Sequence, residues 1–119
     1  MDTLMYTIIK PVGSRCNLSC GGCYYGGNPF DGETGAVMSE DTLEETIRQS
    51  VGLPPPGRPA VFIWHGGEPA LAGLDFFRRA ATLQDRYLPE GRALNIMQTN
   101  GLLLDEEWCS FLADRGFLV

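Results

Sequence analysis

The segment RCNLSCGGCYY, Arg15 to Tyr25, carries Cys16, Cys20 and Cys23 in the spacing CxxxCxxC. Three thiolates this close along the chain can converge on one inorganic centre. A cubane 4Fe-4S cluster has four irons, each normally held by one cysteine, so three cysteines leave one iron open to another ligand. The competing chemistry is a tetrahedral zinc site built from Cys16, Cys20, Cys23 and His65. Zinc modules more often use paired CxxC units, and a zinc site gives no task to two other motifs, HGGEP at 65–69 and QTNG at 98–101.

Each of those motifs also has a plain reading. Gly-Gly before a proline serves a tight turn after a strand, and Asn-Gly is favoured in turns. His65 is the single histidine of the chain; a hydrogen-bonded bystander is its default role, and its position leaves a substrate-facing role open. Cys109, beside Trp108, reads as a buried thiol acting as a small hydrophobe.

The elements that must position these motifs follow from local pattern. Leu4 to Ile9 is apolar and β-branched and is stopped by Pro11 and Gly13, which predicts a first strand. The glycines of the cysteine segment, with Asn28 to Gly32 after them, predict irregular backbone. Ser39 can cap a helix that has Glu40 and Asp41 in its first turn and Leu43, Ile47 and Val51 on one face; Pro54 to Pro56 close it. Ala60 to Trp64 is apolar without alternation, as a central strand covered on both faces should be. A second helix is predicted over Leu74 to Tyr87, with Phe76, Ala80, Leu83 and Tyr87 at helical spacing. Ala93 to Thr99 predicts a third strand. A third helix from about Asp105 presents Trp108, Phe111 and Leu112, and Phe117 to Val119 begins a fourth strand.

The order βαβαβαβ predicts an α/β fold with a parallel sheet and right-handed crossovers. The cysteine segment, HGGEP and QTNG each follow a strand, so all three are expected at the carboxyl edge of one sheet, where α/β proteins place their sites.

Composition bounds the possibilities. The chain has 119 residues, 44% hydrophobic and 20% charged, which suits one globular domain. Its formal net charge of -6 argues against a nucleic-acid partner. No segment approaches the roughly 20 apolar residues of a membrane span, and no export signal is evident, so a cytoplasmic protein without membrane contact is expected. Clustered cysteines in that setting point to metal binding rather than disulfides.

KPVGSRCNLSCGGCYY, MSEDTLEETIRQ, WHGGEPALAGLDFF and QTNGLLLDEEWCSFLADRGFLV together are similar to the N-terminal part of the anaerobic sulfatase-maturating enzymes and their peptide-modifying SPASM relatives, within the radical S-adenosylmethionine (radical SAM) superfamily. The resemblance implies a partial radical SAM (β/α) barrel, about three βα units plus the start of a fourth parallel strand. Residues 1–119 would then be the N-terminal portion of a radical SAM core domain, with later barrel units and a SPASM-type domain belonging to the complete enzyme. An inactive fragment is a further alternative. An incomplete sheet would also leave an edge prone to pairing and lower solubility.

The resemblance further implies a 4Fe-4S cluster on Cys16, Cys20 and Cys23, with the amino and carboxylate groups of SAM at the open iron. Gly66, Gly67 and Glu68 match the Gly-Gly-Glu motif that holds the SAM amino group; bare backbone allows close approach, and a carboxylate suits an ammonium. Gln98, Thr99 and Asn100 fall where polar side chains line the family's cavity. The residue before the third cysteine, commonly aromatic and near adenine, is here Gly22, so Tyr24 or Tyr25 would supply that contact. His65 and Tyr25 are the substrate-facing candidates. Sulfatase maturases usually have glutamine before Gly-Gly-Glu, and His65 is found more in other peptide-modifying relatives. The implied reaction is reductive cleavage of SAM to a 5′-deoxyadenosyl radical that abstracts hydrogen from a side chain of a peptide or protein, a sulfatase among the candidates. The implied electron donor is a flavodoxin or ferredoxin.

Overall fold

Residues 5–18, 21, 36–88 and 92–119 are described by the computed structural model. Strand β1 (Tyr6–Ile9) leads to helix α1 (Glu40–Ser50), and β2 (Ala60–Trp64) leads through a 3-10 turn (Pro69–Ala72) to α2 (Leu74–Tyr87). Strand β3 (Ala93–Met97) is followed by α3 (Glu106–Asp114). The strands form one parallel sheet in the order β1-β2-β3. A parallel bridge between Ile96 and Leu118 extends it, which is the extent of a fourth strand among the described residues. Strands adjacent in both sequence and space, joined by right-handed crossovers, put successive helices on the same side of the sheet. That singly wound order belongs to a βα barrel rather than to a doubly wound sheet.

The helices begin where their caps lie. The Ser39 hydroxyl accepts from the Thr42 N–H at 3.2 Å, and the Asp105 carboxyl accepts from the Trp108 N–H at 2.9 Å. Leu43 and Ile47 of α1 are fully buried. Helix α2 buries a wider stripe than Phe76, Ala80 and Leu83, because Phe77, Ala81 and Gln84 are buried with them. Trp64 meets Phe76 and Phe77 edge-on, with ring centroids 6.2 and 5.2 Å apart, and Phe77 meets Trp108 at 5.4 Å. These aromatic contacts hold α2 and α3 against β2.

Register decides which sheet face is core. Thr7, Phe62 and Asn95 form one row, and Ile9, Trp64 and Met97 the next, on the buried face. Two members are polar: the Thr7 hydroxyl donates to Ser50 Oγ at 2.8 Å, while Asn95 Oδ1 accepts from Trp64 Nε1 at 2.9 Å and Gln84 Nε2 at 2.8 Å, and its Nδ2 donates to Gln84 Oε1 at 2.9 Å. Every polar atom of the buried trio Trp64, Gln84 and Asn95 that the fold encloses thus finds a partner. The opposite face carries Tyr6, Ile8, Val61, Ile63, Leu94 and Ile96. Here the expectation that β2 is covered on both faces fails: Val61 and Ile63 are only half-buried, and Ile8 is 52% exposed. With crossovers packing on one side, the second face is the one that a barrel turns inward.

Two other expectations are corrected, and a third is covered only in part. Strand β3 ends at Met97 rather than Thr99, because Thr99 and Asn100 turn toward Glu68 instead of extending the ladder. Cys109 is exposed, not buried: α3 buries Trp108 and Leu112, and a residue one step from Trp108 is rotated roughly 100° away around a helix. The strand predicted from Leu4 is described from Tyr6 onward, and Leu4 lies outside the described residues.

Candidate functional site

Three segments meet at the carboxyl edge of the sheet, and backbone hydrogen bonds fasten them. After β2, the His65 N–H donates to Ile9 O at 2.9 Å, the Gly67 N–H to Gly13 O at 3.0 Å and the Glu68 N–H to Arg15 O at 2.9 Å. The turn bearing Gly-Gly-Glu therefore lies directly against the loop that leads into Cys16.

This contact explains the glycines. A Cβ on Gly66 would lie 2.3 Å from Gly13 O, and Gly66 has φ of +114°. A Cβ on Gly67 would lie 2.1 Å from Arg15 O and 2.3 Å from Ser14 O. Both positions require bare backbone because the chain's own backbone approaches there.

Glu68 joins the third segment. Its side chain is fully buried. Oε2 accepts from the Ala70 N–H at 3.0 Å and from the Thr99 hydroxyl at 2.6 Å, while Oε1 accepts from the Asn100 N–H at 2.7 Å. One carboxyl group thus caps the 3-10 turn and pins the segment after β3. Its three donors all come from the protein, so Glu68 sets the positions of its neighbours from beneath the site surface.

Asn100 carries the connection to sulfur. Its Oδ1 accepts from the Leu102 N–H at 3.0 Å, which leaves Nδ2 pointing the other way. Nδ2 donates to Asn17 Oδ1 at 2.8 Å and lies 3.8 Å from Cys16 Sγ as a second acceptor. Cys16 is half-buried and in no disulfide.

The fold therefore brings together Cys16, His65, Gly66, Gly67, Glu68, Thr99 and Asn100. His65 is half-buried, its Nδ1 accepts from the Gly66 N–H at 2.7 Å, and alternation places it on the open sheet face with Val61 and Ile63. Gln98 is exposed, and its N–H donates to Trp64 O at 2.9 Å. Cys20, Cys23, Tyr24 and Tyr25 lie outside the described residues. Sequence reasoning missed Asn17 and Arg15. Nothing in their spacing marks them, and adjacency to Cys16 was the available signal. Arg15 Nε is buried without an acceptor among the described residues. A cationic donor in that state beside a cysteine-bearing loop suits an anionic group. A free, half-buried thiol facing an amide donor likewise fits ligation in an iron-sulfur centre.

A surface pocket lined by Gln84, Asp85, Ala93 and Arg115 lies at the opposite end, by the start of β3, and is spanned by the Arg115–Asp85 ion pair at 2.7 Å. No helix among the described residues is long and apolar enough to cross a membrane.

The sequence profile of the Radical SAM superfamily matches residues 11–119. The serine-type anaerobic sulfatase-maturating enzyme of Klebsiella pneumoniae is 41% identical over 116 residues, 96% of this chain and 29% of the relative. The cysteine-type anaerobic sulfatase-maturating enzyme of Clostridium perfringens is 36% identical over 115 residues, 94% of this chain and 30% of the relative. Among solved structures, native anSMEcpe with bound AdoMet superposes with a TM-score of 0.80 at 34% identity, covering 92% of this chain and 29% of that one. Native anSMEcpe with bound AdoMet and the Cp18Cys peptide gives a TM-score of 0.77 at 33% identity, covering 92% and 28%. The chain thus spans less than a third of the length of these relatives. A profile match over nearly the whole chain, on a singly wound parallel sheet with Cys16, the HGGEP turn and the QTNG segment at its carboxyl edge, establishes that the chain belongs to the radical SAM superfamily.

Proposed function

We propose that residues 1–119 are the N-terminal portion of a radical SAM core domain, in which Cys16, Cys20 and Cys23 bind a 4Fe-4S cluster and SAM takes the open iron. The enzyme modifies a Cys or Ser side chain of a peptide or protein, as in sulfatase maturation, with a small flavodoxin- or ferredoxin-type protein as reductant. The observation that carries this reading is the fastening of the Gly-Gly-Glu turn and Asn100 onto the loop of Cys16 through Glu68. The relatives' names and the AdoMet-bound neighbours support it.

When bound, the cluster would supply the electron for reductive SAM chemistry directed at a substrate side chain. The chain's own residues do the rest. Gly66 and Gly67 would offer backbone to the SAM amino group, and Glu68 fixes the turn that carries them and Asn100 in register. Ile8, Ile63 and Ile96 share the open sheet face and would offer an apolar surface beside the reacting groups. His65 and Tyr25 are the candidates for contact with the substrate.

The test is anaerobic reconstitution with iron and sulfide, followed by dithionite, SAM and a peptide carrying a Cys or Ser in a sulfatase-like context. Iron and acid-labile sulfide bound in cluster proportion, 5′-deoxyadenosine and a mass change at that side chain are expected. One zinc per chain with no iron would refute the reading in favour of a Cys3His structural module.

A further inference from the structure

We infer that Asn100 is a positioning residue whose side-chain amide donates an N–H···S hydrogen bond to Cys16 and raises the reduction potential of the centre that Cys16 ligates. The inference rests on the proposed role of Cys16 and adds a residue that acts through the sulfur.

Three observations carry it. First, the orientation of the amide is fixed by chemistry: Oδ1 accepts from the Leu102 N–H at 3.0 Å, and an NH2 group in its place would face that donor. Nδ2 is therefore the end turned toward Cys16. Second, one proton of Nδ2 serves Asn17 Oδ1 at 2.8 Å, and an NH2 group has two protons, so the second remains for Cys16 Sγ at 3.8 Å. Third, the residue is held from behind. Its backbone N–H is bonded to buried Glu68, whose own N–H is bonded to Arg15 O, one residue before Cys16. Donor and sulfur are thus fixed through the same carboxyl-bearing residue, and the amide does not have to be ordered when the centre is filled.

The electrostatic consequence has a definite sign. Reduction adds negative charge to the cluster and its sulfurs, and an N–H dipole aimed at a sulfur stabilises the reduced state more than the oxidised one. Removing the donor makes the centre harder to reduce, so the potential falls. Mere loosening of the loop has the opposite signature, because greater exposure to water also stabilises the more highly charged reduced state. The direction of the shift therefore separates a sulfur donor from a scaffold residue.

The experiment compares the reconstituted full chain with its Asn100→Ala and Asn100→Asp variants, measuring iron content and the midpoint potential in a redox titration followed by electron paramagnetic resonance without SAM. Asn100 is exposed, and Asn100→Asp keeps both the shape and the acceptor for Leu102, so at least one variant retains the fold. Equal iron content, a more negative potential in Asn100→Ala and a further negative shift in Asn100→Asp are expected. Equal iron with an unchanged or more positive potential in both variants would overturn the inference alone. A wild-type chain that takes up no iron would overturn the proposed function, and this inference with it.

Discussion

Gly67→Ala tests why the Gly-Gly-Glu turn contains glycine. The new methyl carbon would stand 2.1 Å from Arg15 O and 2.5 Å from Arg15 C, both backbone atoms that no rotamer change can move. The turn and the loop before Cys16 must separate, which breaks the Gly67 N–H to Gly13 O bond and the Glu68 N–H to Arg15 O bond. Leaving a buried donor unmet costs about 1–3 kcal/mol, so two give about 2–6 kcal/mol. Replacing glycine by alanine also stiffens the unfolded chain, which offsets about 0.4–1 kcal/mol. The expected net loss is roughly 1–5.5 kcal/mol, about a 5- to 10,000-fold fall in the folded-to-unfolded ratio, set against the 5–15 kcal/mol typical of a domain. Urea unfolding followed by the fluorescence of buried Trp64 and Trp108 measures it, and hydrogen exchange at the Glu68 amide locates it. Gly52→Ala is the control, since a Cβ there meets only Gln49 O at 3.7 Å and the backbone is not left-handed. A Gly67→Ala protein with the midpoint of the control and a protected Glu68 amide would refute the close-approach argument.

Glu68→Gln keeps one acceptor oxygen but turns an NH2 toward at least one of the three donors, so a loss of about 1–3 kcal/mol and faster exchange of the Asn100 amide are expected; unchanged exchange would count against the clasp. Asn95→Ala strands the Trp64 indole N–H and the Gln84 amide inside the core and should cost about 2–4 kcal/mol in urea unfolding, whereas a neutral result would mean that water replaces Asn95. On the surface of α1, hydrogen bonds from Arg48 and then Gln49, with the charge of Arg48, lower the Glu45 carboxyl to about 2. A depressed folded value means that this contribution is present above the ordinary carboxyl range and fades as pH falls toward about 2; carboxyl titration by NMR checks it, and an ordinary midpoint for Glu45 would contradict it. Tyr87 runs the other way: its hydrogen bond to Glu44, with burial and the Glu44 charge, raises its hydroxyl. The α1–α2 tie is therefore whole below the ordinary tyrosine range and is lost as pH rises through the raised value, which an ultraviolet titration of wild type against Glu44→Gln would show.

Much of the arrangement was legible because it is local. Ser39 and Asp105 announce helix starts through their own side chains, and the apolar runs at 60–64 and 93–97 announce strands. The convergence of the motifs follows from topology, since every loop after a parallel strand emerges at the same edge. What the sequence hid depends on long-range placement. The sequence suggested that Gly66 and Gly67 leave room for a cofactor, but the group that crowds them is the Gly13–Arg15 backbone, about fifty residues earlier in the chain. The resemblance assigned the Glu68 carboxylate to an ammonium, yet Thr99 and Asn100 donate to it from a segment some thirty residues later. Nothing in the sequence marked Asn95 as part of a buried polar network, because its partner Gln84 is supplied only by the crossover of α2. Cys109 was misjudged because adjacency to Trp108 was taken as shared burial, and a helix turns its successive residues to different faces.

The central claim is that Cys16 and its two companion cysteines hold a cluster with one iron open to SAM. Electron paramagnetic resonance of the anaerobically reconstituted, dithionite-reduced chain, recorded with and without SAM, tests it most directly. The account predicts a reduced 4Fe-4S signal that changes on addition of SAM and disappears in Cys16→Ala. A protein that yields no cluster signal, or one whose signal is the same with SAM as without, would contradict it.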